Sequence, residues 1–116
     1  MKYSISEKAF EDIENIWLYT VETWSVEQAD RYYNLIFDEI EYITRNPLLG
    51  KDFSHIRKNY RCTQVKSHLI FYKYNVSEEL VEVIRILHQS ILLPLYTQFI
   101  VRRAVNKQSV EQIKYD

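Results

Sequence analysis

The sequence predicts an α+β domain in which a hairpin of two helices packs on an antiparallel sheet. Three observations carry this. Two apolar stripes with helical spacing fill the first 45 residues, and three runs rich in β-branched and aromatic residues follow between Tyr60 and His88. The breaks between those runs are too short for parallel crossovers, so the strands are consecutive and antiparallel. A chain of 116 residues has room for one core.

Residues 2–6 alternate weakly and predict a short first strand. Ser6 is placed to cap a helix, with Glu7 beside its positive end. Phe10, Ile13, Trp17, Val21 and Trp24 then recur at spacings of three and four, the stripe of a helix over residues 7–23. This assigns Trp17 and Trp24 to packing between helix and sheet. Ser25 with Gln28 matches a capping box and starts a second helix, whose stripe is Ala29, Tyr32, Tyr33, Ile36, Ile40 and Ile43. Asn46-Pro47 ends it, because a residue before proline disfavours the helical region. So short a link between the helices makes an antiparallel hairpin.

A loop from Leu48 to Asn59 follows. Gly50 is the only glycine, which predicts a positive-φ turn there. The strands read Tyr60–Lys66, Ser67–Tyr74 and Leu80–His88, separated by turn-prone residues. On the second, His68, Ile70, Tyr72 and Tyr74 share a face; on the third, Val81, Val83, Arg85 and Leu87 oppose Glu82, Ile84, Ile86 and His88. Neither face is purely apolar, so the pattern leaves open which one is buried. From Gln89 onward, Pro94 opens a helical pattern through Leu95, Tyr96, Phe99 and Ile100, and the end from Lys107 is polar.

Composition excludes several classes. Hydrophobic content of 47% and charged content of 27% are globular values, and one cysteine, Cys62, rules out an internal disulfide framework. Met1–Ser6 has no apolar signal region, and no run approaches the ~20 apolar residues of a membrane span. The expectation is a cytoplasmic protein with no membrane contact. Three histidines and one cysteine without compact ligand spacing predict no metal site, and the lack of a glycine-rich phosphate loop predicts no cofactor. Ten tyrosines supply surface suited to recognition. Residues 1–46 hold ten acids against four Lys/Arg, whereas residues 47–73 hold Asp52 against six Lys/Arg. An acidic first part and a basic middle point to an acidic partner or nucleic acid. Each strand also carries polar groups that a plain core strand avoids: Arg61, His68, Tyr72, Arg85 and His88.

One ordered set of motifs adds a resemblance. Tyr3-x-Ile-Ser with Ala9, Asp12-Ile13 through Tyr19, Trp24, Gln28-Ala29, Tyr32 and Asn46-Pro47-x-x-Gly50 lead to Arg57, Tyr60-Arg61, Ser67-His68-x-Ile70-Phe71-Tyr72 and Ile84–His88. Together they resemble the ParE branch of the RelE/ParE toxin superfamily of bacterial type II toxin–antitoxin modules. The resemblance covers about three quarters of the chain. It implies a RelE-like fold, with an N-terminal strand and two helices packed across a twisted antiparallel sheet. It divides the chain into a toxin domain, 1–88, and an atypical extension, 89–116.

The superfamily holds two activities. RelE-like members cleave mRNA in the ribosome, which needs a general acid or base and cations at the phosphoryl group. Here the residues for that role are His88, Arg85, Arg61 and Lys66. Such members carry an arginine directly after the position of His68, where this chain has Leu69. ParE-like members instead resemble poisons of DNA gyrase that bind a protein and catalyse nothing. The reading is therefore a gyrase inhibitor neutralised by a cognate antitoxin. Its alternatives are a ribosome-dependent mRNA endonuclease and an inactive, toxin-like binding protein. The residues assigned to target or antitoxin binding are Arg57, Lys58, Arg61, His68, Tyr72, Arg85 and His88. The antitoxin, acidic where it docks, is expected on the helix hairpin and the sheet edge near the basic middle. A homodimer is a further expected assembly, and operator DNA is reached only through the antitoxin complex. Arg61 and Arg85 also have a plain structural use, as intramolecular hydrogen-bond donors.

Overall fold

A computed structural model describes residues 2–91, so the helix expected from Pro94 lies outside the described residues. Strand β1 (Lys2–Ile5) leads into helices α1 (Glu7–Thr23) and α2 (Val26–Arg45). Strands β2 (Lys51–Asp52), β3 (Arg61–Val65), β4 (His68–Asn75) and β5 (Leu80–His88) follow, and Gln89–Ile91 closes in a 3-10 turn. The sheet order is β1-β5-β4-β3-β2. β2 through β5 are antiparallel, as the short breaks require, but β1 pairs parallel with β5. The sheet is therefore mixed: β5, reached after the two helices and three further strands, runs alongside β1 in the same direction.

Both predicted caps form. Ser6 Oγ accepts from Ala9 N at 3.0 Å, and Ser25 Oγ accepts from Gln28 N at 3.0 Å. The reciprocal half of the second box is diverted, since the Gln28 side chain accepts from Arg31 instead. α2 buries Ala29, Ile36, Ile40 and Ile43, close to its predicted stripe. α1 is rotated from the predicted face. It buries Ala9 and Ile13 with Ile16 half-buried, while Phe10 is 50% and Trp24 71% exposed. Trp17 turns toward the neighbouring helix, where its Nε1 donates to Asp30 Oδ1 at 2.9 Å. Size explains the difference. At the close approach of α1 to the sheet, Ala9 and Ile13 fit, and the larger aromatics one position on are displaced outward.

The sheet is covered on both sides. On the helix side, Ile70, Tyr72, Val81, Val83 and Ile86 join Ile13, Ile36 and Ile40 in the main core. On the other side, Phe53 from the loop before β3 packs on Cys62, Leu69 and Phe71, with Ile56, Tyr60 and Leu87 at its margin. This is why neither face of β4 reads as polar. Burial pushes the Cys62 thiol up to about 12. A bulge in the β4–β5 pairing sets Phe71 against Arg85 and Tyr72 against Val83, leaving Ile84 as the extra residue. An extra residue inverts the alternation. Val81 and Val83 therefore share the helix side with Ile86, not with Arg85 and Leu87 as strict period-two reading requires.

Gly50 does not adopt a positive φ; Asn59, Lys66 and Glu79 do. The reason for glycine at 50 is proximity. A Cβ there would lie 2.2 Å from Tyr72 Oη.

Candidate functional site

The structure separates the predicted site residues into three groups. The first holds the fold together. Tyr72 is fully buried; its hydroxyl donates to the Pro47 carbonyl at 2.8 Å and accepts from Gly50 N at 3.0 Å. Arg61 Nη1 donates to the Gly50 carbonyl at 2.8 Å and lies 3.3 Å from that of Leu48. These two side chains anchor the turn that follows α2. Tyr72 is thus core rather than contact surface, and burial raises its pKa.

Arg85 anchors the other helix. Its Nε and Nη2 donate to the two Asp12 carboxylate oxygens at 2.8 and 3.0 Å. Asp12 Oδ2 also accepts from Ile86 N at 2.9 Å. β1 pairs with β5 only through Val83. Beyond it Ser6 N donates to the Val83 carbonyl, Ser6 Oγ to the Ile84 carbonyl, and Asp12 receives the next N–H. The start of α1 thereby closes an edge that would otherwise present unpaired backbone groups. The hydrogen bond to Asp12 raises the Arg85 pKa further, so its charge is permanent.

The second group lines a groove of about 640 Å³ between the helix hairpin and the β3–β4 turn. Lys66, His68 and His88 form its sheet side, and Asn15, Tyr19, Trp24, Arg31 and Tyr32 lie on the helices. Tyr32 Oη donates to the Val65 carbonyl at 3.0 Å and lies 2.6 Å from His68 Nδ1. The rings of His68 and His88 stand nearly perpendicular, with centroids 5.4 Å apart. Burial, with a smaller contribution from His88, lowers the His68 pKa, so this imidazole is neutral at pH 7. Of the four residues assigned to RNA cleavage, Lys66 and His88 line the groove and Arg61 and Arg85 do not.

The third group, Arg57 and Lys58, is exposed in the loop that covers the far side of the sheet. The groove's helix side was not legible as a site. Tyr19 and Trp24 read as motif and core residues, yet they are 67% and 71% exposed. Arg31 carried no signal at all. A bulky aromatic next to an alanine on the core-facing turn of α1 was the one available hint that the stripe had shifted.

Comparisons with known proteins bear on the family and the fold. The family model described as ParE toxin of type II toxin-antitoxin system, parDE, matches residues 3–93. A protein named Toxin ParE1 from Caulobacter vibrioides is 39% identical over 88 residues, covering 76% of this chain and 88% of that protein. Another Toxin ParE1, from Mycobacterium tuberculosis, is 34% identical over the same length, covering 76% and 89%. A solved structure titled as the chromosomal ParDE TA system from P. aeruginosa superposes with a TM-score of 0.64 at 15% identity. It covers 76% of this chain and 95% of that one, a likeness of fold.

Proposed function

We propose that this chain, which belongs to the ParE toxin family of type II toxin–antitoxin systems, inhibits DNA gyrase by binding it and is neutralised by a cognate antitoxin. Family membership implies the antitoxin; gyrase as target is the further step. The observation that carries a binding mode over RNA cleavage is the state of the two strand arginines. Cleavage needs free cations around an acid or base. Arg61 is spent on the turn after α2, and Arg85 on Asp12. Leu69, buried behind Phe71, stands where an RNase member carries a further arginine.

The surfaces left for partners are Arg57 and Lys58 in the covering loop, the groove with His68 and His88, and the exposed apolar residues Phe10, Leu18, Tyr19 and Trp24. An acidic antitoxin segment on this surface binds with an affinity that falls as salt rises. The proposal places the protein in the cytoplasm with gyrase; no described helix is long and apolar enough to cross a membrane. Residues 1–88 form the toxin unit in this reading, and residues 89–116 are an appendage that serves in assembly. Truncation after Gln89 tests that point, since unchanged stability and oligomeric state would remove the assembly role.

The direct test is DNA supercoiling by purified gyrase with and without the folded protein. Lost supercoiling with accumulated cleaved DNA is the expected result. Unchanged supercoiling refutes the gyrase reading, and mRNA cleavage on translating ribosomes would establish the endonuclease in its place.

A further inference from the structure

The sequence separates His68 and His88 by twenty positions, but the sheet makes them direct cross-strand partners. The hydrogen bond from Gln89 N to the Ser67 carbonyl, 2.7 Å, runs between the residues flanking this pair. His68 and His88 are therefore a non-hydrogen-bonded pair, the kind in which side chains stand closest. Their rings are 5.4 Å apart at 87°. Two imidazoles that hold one ion about 2.1 Å from each nitrogen, at a tetrahedral angle, have ring centres roughly 5 Å apart.

Hydrogen bonds to Nδ1 leave Nε2 as the ligand atom on both rings. Tyr32 has one hydroxyl proton, and donating it to Val65 makes its oxygen the acceptor of a His68 Nδ1–H. His68 Nε2 is then a lone pair. His88 Nδ1 accepts from Ser90 N at 3.1 Å and lies 3.0 Å from Ser90 Oγ. Coordination through His88 Nε2 uses the tautomer with its proton on Nδ1; that proton is donated in a hydrogen bond to Ser90 Oγ, and the Ser90 N–H gives up its bond to the ring. Supporting hydrogen bonds of this type fix the ring and tautomer of metal-binding histidines.

We propose that His68 and His88 form a two-histidine site for a first-row divalent cation of the zinc or copper class, at the mouth of the groove. Imidazole suits these ions, and the solvent side of His88 leaves positions for water. Lys66 and Arg31 line the same groove and oppose a cation there. The site is consequently one of moderate affinity, and its strength depends on Lys66. None of this rests on the gyrase reading.

The test is calorimetric titration of the full chain with ZnCl₂ in a non-chelating buffer at pH 7.5. One ion per chain is expected. His68→Ala and His88→Ala each weaken binding about 100-fold, since each turns a chelate into a single bond. Tyr32→Phe weakens it about tenfold by releasing the His68 ring. Lys66→Ala tightens it, and His55→Ala leaves it unchanged. His88 is exposed, so its variant keeps the fold and decides the matter if His68→Ala does not. Cu²⁺ quenching of tryptophan fluorescence gives a second readout, because Trp24 lines the groove. No binding, or binding indifferent to His88→Ala, overturns the proposal.

Discussion

Gly50→Ala should be among the most damaging single-methyl additions in this domain. The new Cβ would sit 2.2 Å from Tyr72 Oη and 2.8 Å from both Cε1 and Cζ, where ordinary contact begins at 3.4 Å. The ring must therefore retreat by about 1.2 Å at its hydroxyl end. It has nowhere to go cheaply, being fully buried among Ile36, Ile40 and Val83. Overpacking of this kind costs about 1–3 kcal/mol. Retreat also weakens the bonds from Tyr72 Oη to Pro47 and from Gly50 N to Tyr72, worth about 1 kcal/mol each. A total near 3 kcal/mol is a large share of the roughly 5–13 kcal/mol available to a domain of this size. It corresponds to a fall in Tm of about 12–24 °C.

Urea unfolding followed by circular dichroism, with a thermal melt alongside, measures this. Two companions separate steric from conformational need. Gly50→Asn would be the mildest replacement if a positive φ were required, but a steric requirement makes it no better than alanine. Tyr72→Phe alone costs about 1–3 kcal/mol by leaving the buried Gly50 N–H open. Combined with Gly50→Ala it should cost about 1 kcal/mol less than the two separate losses, because the nearest clashing atom is gone. A Gly50→Ala protein within about 0.5 kcal/mol of wild type would refute the reasoning.

Asp12→Ala should destabilise by about 2 kcal/mol, mostly through the open Ile86 N–H, since the Arg85 side chain is 39% exposed and its ion pair is partly screened; equal urea midpoints would dismiss the edge-closing role. His68 titrates below its ordinary 6.5 in the folded state, so the unfolded chain binds the proton more tightly. Its contribution is intact above about pH 6.5 and is lost as pH falls toward the lowered folded value. Replacing His68 with Gln should flatten that part of the stability–pH curve between pH 7.5 and 5.5, and parallel curves would count against it. Cys62, with its thiol pushed up to about 12, should resist a thiol-specific reagent at pH 8 until denaturant is added, whereas fast native labelling would mean the far-side core opens readily.

Element order was legible because it depends on local signals. Ser6, Ser25 and Pro47 mark helix ends through backbone chemistry that acts within a few residues, and the structure uses each of them. What escaped was set by partners distant in sequence. The rotation of α1 depends on how close its backbone comes to the sheet, which no stripe of hydrophobicity records. β1 joining in parallel depends on where β5 returns. The strict alternation read along β5 fails at Ile84 because a bulge adds a residue without leaving a glycine to announce it. Gly50 had two physical explanations, left-handed backbone or close approach, and only the position of Tyr72, twenty-two residues later, decides between them.

The same distinction governs the site. Arg61, Tyr72 and Arg85 stood out because strands seldom carry such groups without purpose. Their purpose is to tie the two helices to the sheet: Tyr72 and Arg61 at the end of α2, Arg85 at the start of α1. A resemblance built on these residues therefore rests on the parts that hold the fold together. Residues whose side chains are engaged within the fold do not by themselves report a target. The groove is a different matter. Tyr19, Trp24, Arg31 and Lys66 are free to vary without loosening the helix–sheet clamps, and they surround His68 and His88. Substitutions at Arg61, Tyr72 or Arg85 that abolish activity would therefore be ambiguous unless stability were measured with them. Loss of partner binding on changing Lys66, Arg31 or Trp24, with the unfolding midpoint unmoved, would locate recognition on this groove.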